Sequence, residues 1–248
     1  MDHAPRIALT DDTWLLVLTG AGVSAESGVP TFRSSDGLWE QHRIEQVATP
    51  EGFCADPALV WRFYSERRRH AASCAPNPGH VALAEVEAAL GDRFLLATQN
   101  IDGLHRAAGS RRVVEMHGNL FTSRCASCGR PPFEDRSLHD DGAPACDLCA
   151  EAGRTAPLRP HIVWFGEARA LGDLRRIQEF AIRAAWGRFV FLAVGTSGVV
   201  YPAAALVEGA RQLGAETWLV NADPPGNLGA FDHFVQGKSG EILPRLFG

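Results

Sequence analysis

Four cysteines in this chain stand at the spacing of a metal site: Cys125-Ala-Ser-Cys128 and Cys146-Asp-Leu-Cys149, with 17 residues between the two pairs. Each Cys-x-x-Cys pair can present two sulfurs to one ion. Two pairs close a tetrahedral four-thiolate site, which leaves no coordination position for catalysis, so one structural zinc ion is expected. From Asn119 to Pro160, Cys, Gly, Pro, Asp and Arg dominate, and no helix or strand is expected to bury much surface there. The ion would supply the missing folding energy. Cys54 and Cys74 stand alone and read as small apolar fillers.

A second group of residues offers chemistry of another kind. Gly20-Ala21-Gly22-Val23-Ser24-Ala25 follows an apolar run, where glycines allow a tight turn and let backbone N–H groups cradle a pyrophosphate. Glu26 to Arg33 then breaks helix early, and no acidic residue closes a second strand about twenty positions on, as a dehydrogenase ribose site would need. A zinc-containing NAD-dependent dehydrogenase is therefore the weaker alternative. Phe32-Arg33 on a Ser/Gly/Pro-rich loop reads instead as a lid that carries a cation toward phosphates.

Thr98-Gln99-Asn100-Ile101-Asp102 sets amides and a carboxylate at the end of another apolar run, able to fix a ribose or a carboxamide, although Asp102 alone also suits a helix cap. His117, flanked by Gly118 and Asn119, suits a general base near pH 7, with His105 as its rival. Tyr64 and Arg67, three apart, share a helix face where a phenol and a guanidinium could hold a carboxylate. Arg67-Arg68-Arg69 is also a charge run of the kind that usually faces solvent.

These residues need a frame. Trp14 to Thr19, Phe94 to Thr98, Phe189 to Val194 and Thr217 to Asn221 are nearly continuous apolar runs, as suits strands buried on both faces of a parallel sheet. Helical spacing runs over Pro57 to Cys74, Gly79 to Leu90, Gly172 to Trp186 and Pro202 to Leu213, the last two closed by Gly187 and Gly214. The alternation predicts an α/β fold with a doubly wound, Rossmann-like parallel sheet, whose ligand site lies beyond the carboxyl ends of the strands. One catalytic domain over 1–248 is expected, with a large part at 7–38, 79–118 and 159–248, a helical segment at 39–78 beside the cofactor loop, and an inserted zinc module at 119–158.

With 24 Lys+Arg against 29 Asp+Glu the net charge is −5, and no run of basic residues marks a nucleic-acid or anionic-membrane surface. Met1 to Asp12 carries no apolar signal segment, so a cytoplasmic, reducing compartment is expected, where clustered thiols serve metals. No apolar stripe or heptad repeat stands out, and a monomer is expected.

Taken in order, Gly20-Ala-Gly-Val-Ser-Ala-Glu-Ser-Gly28, Thr31-Phe-Arg33, Thr98-Gln-Asn-Ile-Asp102, Met116-His-Gly118, the four cysteines, Val163-Trp-Phe-Gly-Glu167 and Gly195-Thr-Ser197 resemble the sirtuin family, from about Trp14 to the C-terminus. The resemblance implies NAD-dependent removal of acyl groups from protein lysines. NAD is consumed, and nicotinamide, O-acyl-ADP-ribose and free lysine are the products.

By that resemblance, Gly20, Ala21, Gly22, Ala25, Phe32, Arg33 and Trp39 meet the cofactor from its loop. Gln99, Asn100, Ile101 and Asp102 meet its nicotinamide half, and Gly195, Thr196, Ser197, Asn221, Asp223 and Ser239 its adenosine half. Asn100 and His117 are the implied catalytic residues, the histidine taking a proton from a ribose hydroxyl that then attacks the acyl carbon. Val163, Trp164, Phe165, Gly166 and Glu167 read as an extended segment that adds the acyl-lysine peptide as a strand. Tyr64-x-x-Arg67 and its surroundings resemble class III members, which prefer succinyl and malonyl lysine, and Ser35 stands where those members usually carry alanine.

Overall fold

The architecture comes from a computed structural model that describes residues 6–30, 38–39, 42–167, 171–196, 203–224, 226 and 228–247. The strands are β1 (Thr13–Thr19), β2 (Leu38–Trp39), β3 (His42–Arg43), β4 (Phe94–Thr98), β5 (Val113–Glu115), β6 (Gly118–Cys125), β7 (Phe133–Glu134), β8 (Leu158–Ile162), β9 (Arg188–Val194), β10 (Glu216–Asn221) and β11 (His233–Gln236). The α-helices are α1 (Ile44–Val47), α2 (Pro50–Ala55), α3 (Pro57–Ser73), α4 (Pro78–Leu90), α5 (Leu104–Ala107), α6 (Asp147–Glu151), α7 (Leu171–Ala184), α8 (Ala203–Gln212) and α9 (Ser239–Leu246).

Among the described residues, six strands form a parallel sheet in the order β11-β10-β9-β1-β4-β5, with β1 at its centre between β9 and β4. Side chains alternate across it. Leu15 and Val17 of β1 face a core shared with Leu83 and Val86 of α4 and Leu243 of α9, whereas Leu16 and Leu18 face one shared with Phe180 of α7 and Val207 of α8. Both faces are thus covered by helices, which explains why the four runs read as continuous rather than alternating apolar sequence. The sheet is doubly wound as expected, and its order reverses at β1. β5 is the short apolar run that precedes His117, and β11 is too short and too mixed to stand out in the sequence.

A second body packs α1, α2 and α3 against an antiparallel sheet, β7-β6-β8. Its core joins Val60, Trp61, Phe63 and Tyr64 of α3 to Leu120, Leu158, Ile162 and Trp164, with Cys125, Cys146 and Cys149 at one end. This corrects the expectation that the cysteine-rich stretch holds no element able to bury surface. The apolar residues of β6 and β8 are few in sequence because the large side chains that cover them come from α3. Trp61 Nε1 donates to the Leu158 carbonyl at 2.9 Å and ties the two together. Because β8 pairs with β6, residues 158–162 lie in this small sheet, so the chain returns to the large one later than the expected position 159. The arginine run is no solvated face either: Arg67 and Arg68 are 7% and 1% exposed, and only Arg69 of the three reaches the surface, to pair with Asp140.

Caps set the helix starts. Asp56 Oδ1 accepts from Leu59 N at 2.8 Å to begin α3, and Asn77 Oδ1 accepts from Gly79 N at 2.9 Å to begin α4. No helix of the described residues is long and apolar enough to cross a membrane.

The four expected metal cysteines come together. Cys125 and Cys149 sulfurs lie 3.8 Å apart, Cys128 and Cys146 sulfurs 3.9 Å, and all four fall within 4.8 Å of one another. A tetrahedron of sulfurs about 2.3 Å from a zinc ion has edges of about 3.8 Å, so the donor set fits. Ser127 and Cys128 N–H groups each donate to Cys125 Sγ at 3.3 Å, which favours a thiolate there. Protein purified without added metal should carry one zinc per chain, and stripping it should lower Tm by roughly 10 °C or more, because the ion crosslinks Cys125 and Cys128 to Cys146 and Cys149 across the cysteine-rich stretch. A metal-free preparation with an unchanged Tm would contradict this.

Candidate functional site

At the carboxyl edge of the large sheet two backbone segments press together. Gly22 N–H donates to the Gly195 carbonyl at 2.8 Å, and Gly20 N–H to that of Val194 at 3.0 Å. A Cβ on Gly22 would stand 2.7 Å from Gly195 Cα, and Gly195 itself has φ 59°, open only to glycine without strain. The loop after β1 is therefore seated on the loop after β9. It continues as a 3₁₀ segment, Ala21–Ser27, that ends at Gly28 with φ 86°.

That seating delivers Ser24 into the sheet edge. Asn100 Nδ2 donates to the Gly20 carbonyl and to Ser24 Oγ, both at 3.1 Å, and Ser24 Oγ donates to Asp102 Oδ2 at 2.8 Å. The other oxygen, Asp102 Oδ1, accepts from Leu104 N at 2.9 Å, so Asp102 caps α5 and also belongs to the site. Asp102 is 5% exposed, and burial pushes its carboxyl up despite the Leu104 and Ser24 bonds. Gln99 Nε2 reaches Thr196 Oγ1 at 3.2 Å and links the loops after β4 and β9. Ile101, half-buried, anchors β6 through Leu120 N.

His117 lies between β5 and β6. Its Nδ1 donates to the Gln99 carbonyl at 2.9 Å, which fixes the tautomer and puts the basic lone pair on Nε2. Gly118 follows with φ 84°, and any Cβ there would strike the His161 carbonyl. The rival, His105, is 2% exposed and bonded through Nε2 to Thr19 Oγ1 at 2.9 Å. Burial, with His80 beside it, pulls the His105 pKa well down. It is a core residue.

Further along the edge, Ser239 Oγ donates to the Val23 carbonyl at 3.3 Å and to Glu26 at 3.2 Å, and Asn221 Nδ2 donates to the Asp223 carbonyl at 2.8 Å. Ala25 is exposed on the same loop. Phe32, Arg33, Ser35 and Ser197 lie outside the described residues, and Trp39 is described only as backbone of β2.

Below His117 the segment from Val163 to Glu167 is not the extended strand expected. Val163 N–H donates to the His117 carbonyl at 2.9 Å, Phe165 N–H to that of Ala48 at 3.0 Å, and Glu167 N–H to that of Trp164 at 3.1 Å, which closes a turn in which Gly166 has φ 83°. Trp164 is buried, and Glu167 accepts from Arg159 at 2.6 and 3.0 Å and from Trp164 N at 2.9 Å. The Glu167 carboxylate thus braces the turn rather than facing outward, while Phe165 is 53% exposed. Trp164 Nε1 donates to the Tyr64 hydroxyl at 2.9 Å. Arg67 lies beside Tyr64, its guanidinium 3.3 Å from the Phe63 ring and its Nη1 on the Phe63 carbonyl at 2.7 Å. Tyr64 is fully buried, and burial pushes its phenol up.

Two members of this site escaped the sequence reading. Ser24 has no signal beyond the glycine loop that carries it, and His80 has only the helix-cap signal of Asn77-Pro-Gly-His80 at the start of α4. Asn77 N–H donates to His80 Nδ1 at 3.3 Å, so Nε2 carries the proton and faces Ser24 Oγ at 3.3 Å.

Burial lowers the His80 pKa to about 4 from 6.5. The unfolded chain therefore binds the extra proton between these values, and stability falls as pH drops below about 6.5. For His80 alone the loss between pH 7 and pH 5 is about 2 kcal/mol. Urea midpoints should fall over this range and fall less for His80→Asn; parallel pH slopes in the two proteins would contradict the assignment.

Comparison with known proteins agrees with this geometry. The Sir2 family matches residues 20–202. NAD-dependent protein deacylase 2 of Pyrobaculum aerophilum is 46% identical over 93% of this chain and 88% of its own, and the NAD-dependent protein deacylase of Salmonella typhimurium 47% over 94% and 82%. Among solved structures, a Sir2 homolog–NAD complex superposes with a TM-score of 0.82 at 41% identity, covering 94% of this chain and 87% of that one. A Sir2–p53 peptide–NAD+ complex gives 0.77 at 30%, covering 94% and 91%. With the family matched over most of its length and relatives this similar spanning nearly all of it, the chain belongs to the Sir2 family.

Proposed function

We propose that this Sir2-family chain, an NAD-dependent protein deacylase, takes succinyl and malonyl as well as acetyl groups from protein lysines and passes them to the ADP-ribose part of NAD. The observation that carries the choice of acyl group is the burial of Tyr64 and Arg67 side by side on α3 behind Trp164. A guanidinium offers a carboxylate two parallel N–H donors, and an acyl chain that ends in a carboxylate is the ligand whose charge suits it. An acetyl chain ends in a methyl group and makes no such demand.

The remaining roles follow position along the sheet edge. Gly20, Ala21, Gly22 and Ala25, with Phe32, Arg33 and Trp39 further along the chain, would receive the pyrophosphate side of NAD. Gln99, Asn100, Ile101 and Asp102 would hold its nicotinamide half, and Gly195, Thr196, Ser197, Asn221, Asp223 and Ser239 its adenosine half. NAD supplies a glycosidic bond whose cleavage frees nicotinamide and opens a ribose carbon to the acyl oxygen. His117 Nε2 would take the proton of a ribose hydroxyl, a role supported by the Gln99 carbonyl that orients its ring. The turn Val163, Trp164, Phe165, Gly166 and Glu167 would meet the peptide through Phe165 and Gly166 at its surface, with Trp164 buried beneath and Glu167 holding it in shape. The p53 peptide in one solved relative supports a peptide ligand at this family's site.

The dehydrogenase alternative is disfavoured by the loop itself. It runs into a short 3₁₀ segment that ends at Gly28, where a dehydrogenase fingerprint opens a long helix.

Arg67→Met should cut kcat/KM for a succinyl-lysine peptide by about 30-fold, the worth of a charge-assisted fork, and leave the acetyl peptide within about threefold. Equal effects on both peptides, or none, would overturn the acyl-chain assignment. Replacing the base, His117→Tyr should lower turnover on either peptide by about a thousandfold or more with zinc content and circular dichroism unchanged; turnover near the wild-type level would place the base elsewhere.

A further inference from the structure

Arg68 follows the acyl-binding pair and has no part in it, yet it is 1% exposed and carries a buried charge. Its Nε donates to the Leu120 carbonyl at 2.6 Å and its Nη2 to Ser123 Oγ at 3.1 Å, both on β6, the strand that begins just after His117 and ends at Cys125. Nη1 donates to the Ser137 carbonyl at 2.6 Å and to Asp135 Oδ2 at 3.2 Å, on the chain just past β7. One guanidinium therefore bonds acceptors from two segments of the metal-bearing sheet.

Asp135 is held in turn by Ser123 Oγ at 2.5 Å, His139 Nε2 at 3.0 Å and Ser137 N at 3.0 Å. Burial opposes its ionisation, but the bonds from Ser123, His139 and Arg68 hold its carboxyl at about 2. His139 N–H donates to Ser65 Oγ at 2.8 Å, a second tie to α3 one residue past Tyr64. Tyr64 lies one turn before Arg68, and Arg67 is its neighbour, so a shift of this turn against β6 moves both.

We propose that Arg68 is a positioning residue for acyl-chain selection: its fork fixes the Tyr64–Arg67 turn of α3 on β6, and with Asp135 it makes the geometry of the acyl-binding pair depend on the zinc-bearing sheet. The inference rests on the reading that Tyr64 and Arg67 receive an acyl carboxylate. A bidentate contact to a carboxylate tolerates displacements of only about 0.5 Å, whereas a methyl-terminated chain in the same pocket does not sense them. Lysine keeps the charge and cannot reproduce the fork.

The test compares wild type, Arg68→Lys, Asp135→Asn and Arg67→Met on succinyl-lysine and acetyl-lysine peptides, with zinc content measured for each. Arg68→Lys should raise KM for the succinyl peptide by about tenfold, with kcat and the acetyl kcat/KM within about twofold of wild type and zinc retained. Asp135→Asn, which keeps the shape of the site, should act in the same direction with a smaller rise, and it decides the matter if Arg68→Lys does not fold. If Arg67→Met is selective but both positioning variants lose succinyl and acetyl activity equally, or neither changes, Arg68 is only structural and the inference falls while the acyl reading stands. If Arg67→Met leaves succinyl activity intact, the acyl reading fails and this inference with it.

Discussion

The contact between Gly22 and Gly195 decides what the rest of the sheet edge can do. Two loops that leave neighbouring parallel strands cross with backbone against backbone, 2.7 Å from where a Cβ would stand, and only glycine permits it. Because the first loop is pressed down, Ser24 reaches Asp102, and Asn100 reaches both the Gly20 carbonyl and Ser24. A polar knot thus sits where the strands of a doubly wound sheet present their ligand. Gln99 adds a side-chain bond to Thr196 and, through its carbonyl, orients His117. The proposed roles in NAD binding and proton transfer all depend on this one close approach.

The second body works on different physics. Its parts are distant in sequence, with α3 ending at Ser73, β6 beginning at Gly118 and β8 at Leu158: α3 supplies the aromatic bulk, β6 and β8 the surface it covers, and four cysteines the metal crosslink. His117 joins the two in position: it lies between β5 of the large sheet and β6 of the small one and accepts Val163 N–H on its carbonyl. The proposed peptide and acyl contacts are therefore built from the small body and the proposed cofactor contacts from the large one, and they meet at a single histidine.

Much of this was legible in the sequence, and the reasons differ by element. The buried strands were readable because both faces of a covered parallel sheet demand apolar residues, and the cysteine cluster because metal geometry fixes spacing. The glycine loop, the amides after β4 and His117 stood out because polar groups gather where a strand stops. What stayed hidden depends on partners distant in sequence. The strands of the cysteine-rich stretch look too polar until α3 covers them. Arg68 looks like part of a solvated run until Asp135, 67 residues on, is placed against it. Glu167 looks like a ligand contact until Arg159 folds back onto it, and Ser24 and His80 carry no signal of their meeting.

The central proposal is that the polar edge and the peptide-facing turn act on two substrates together. It is tested most directly by following nicotinamide release from NAD with and without an acyl-lysine peptide. Release in step with deacylated peptide, and only when both substrates are present, is the predicted result. Nicotinamide release at the same rate without peptide, or reduction of NAD in its place, would contradict it.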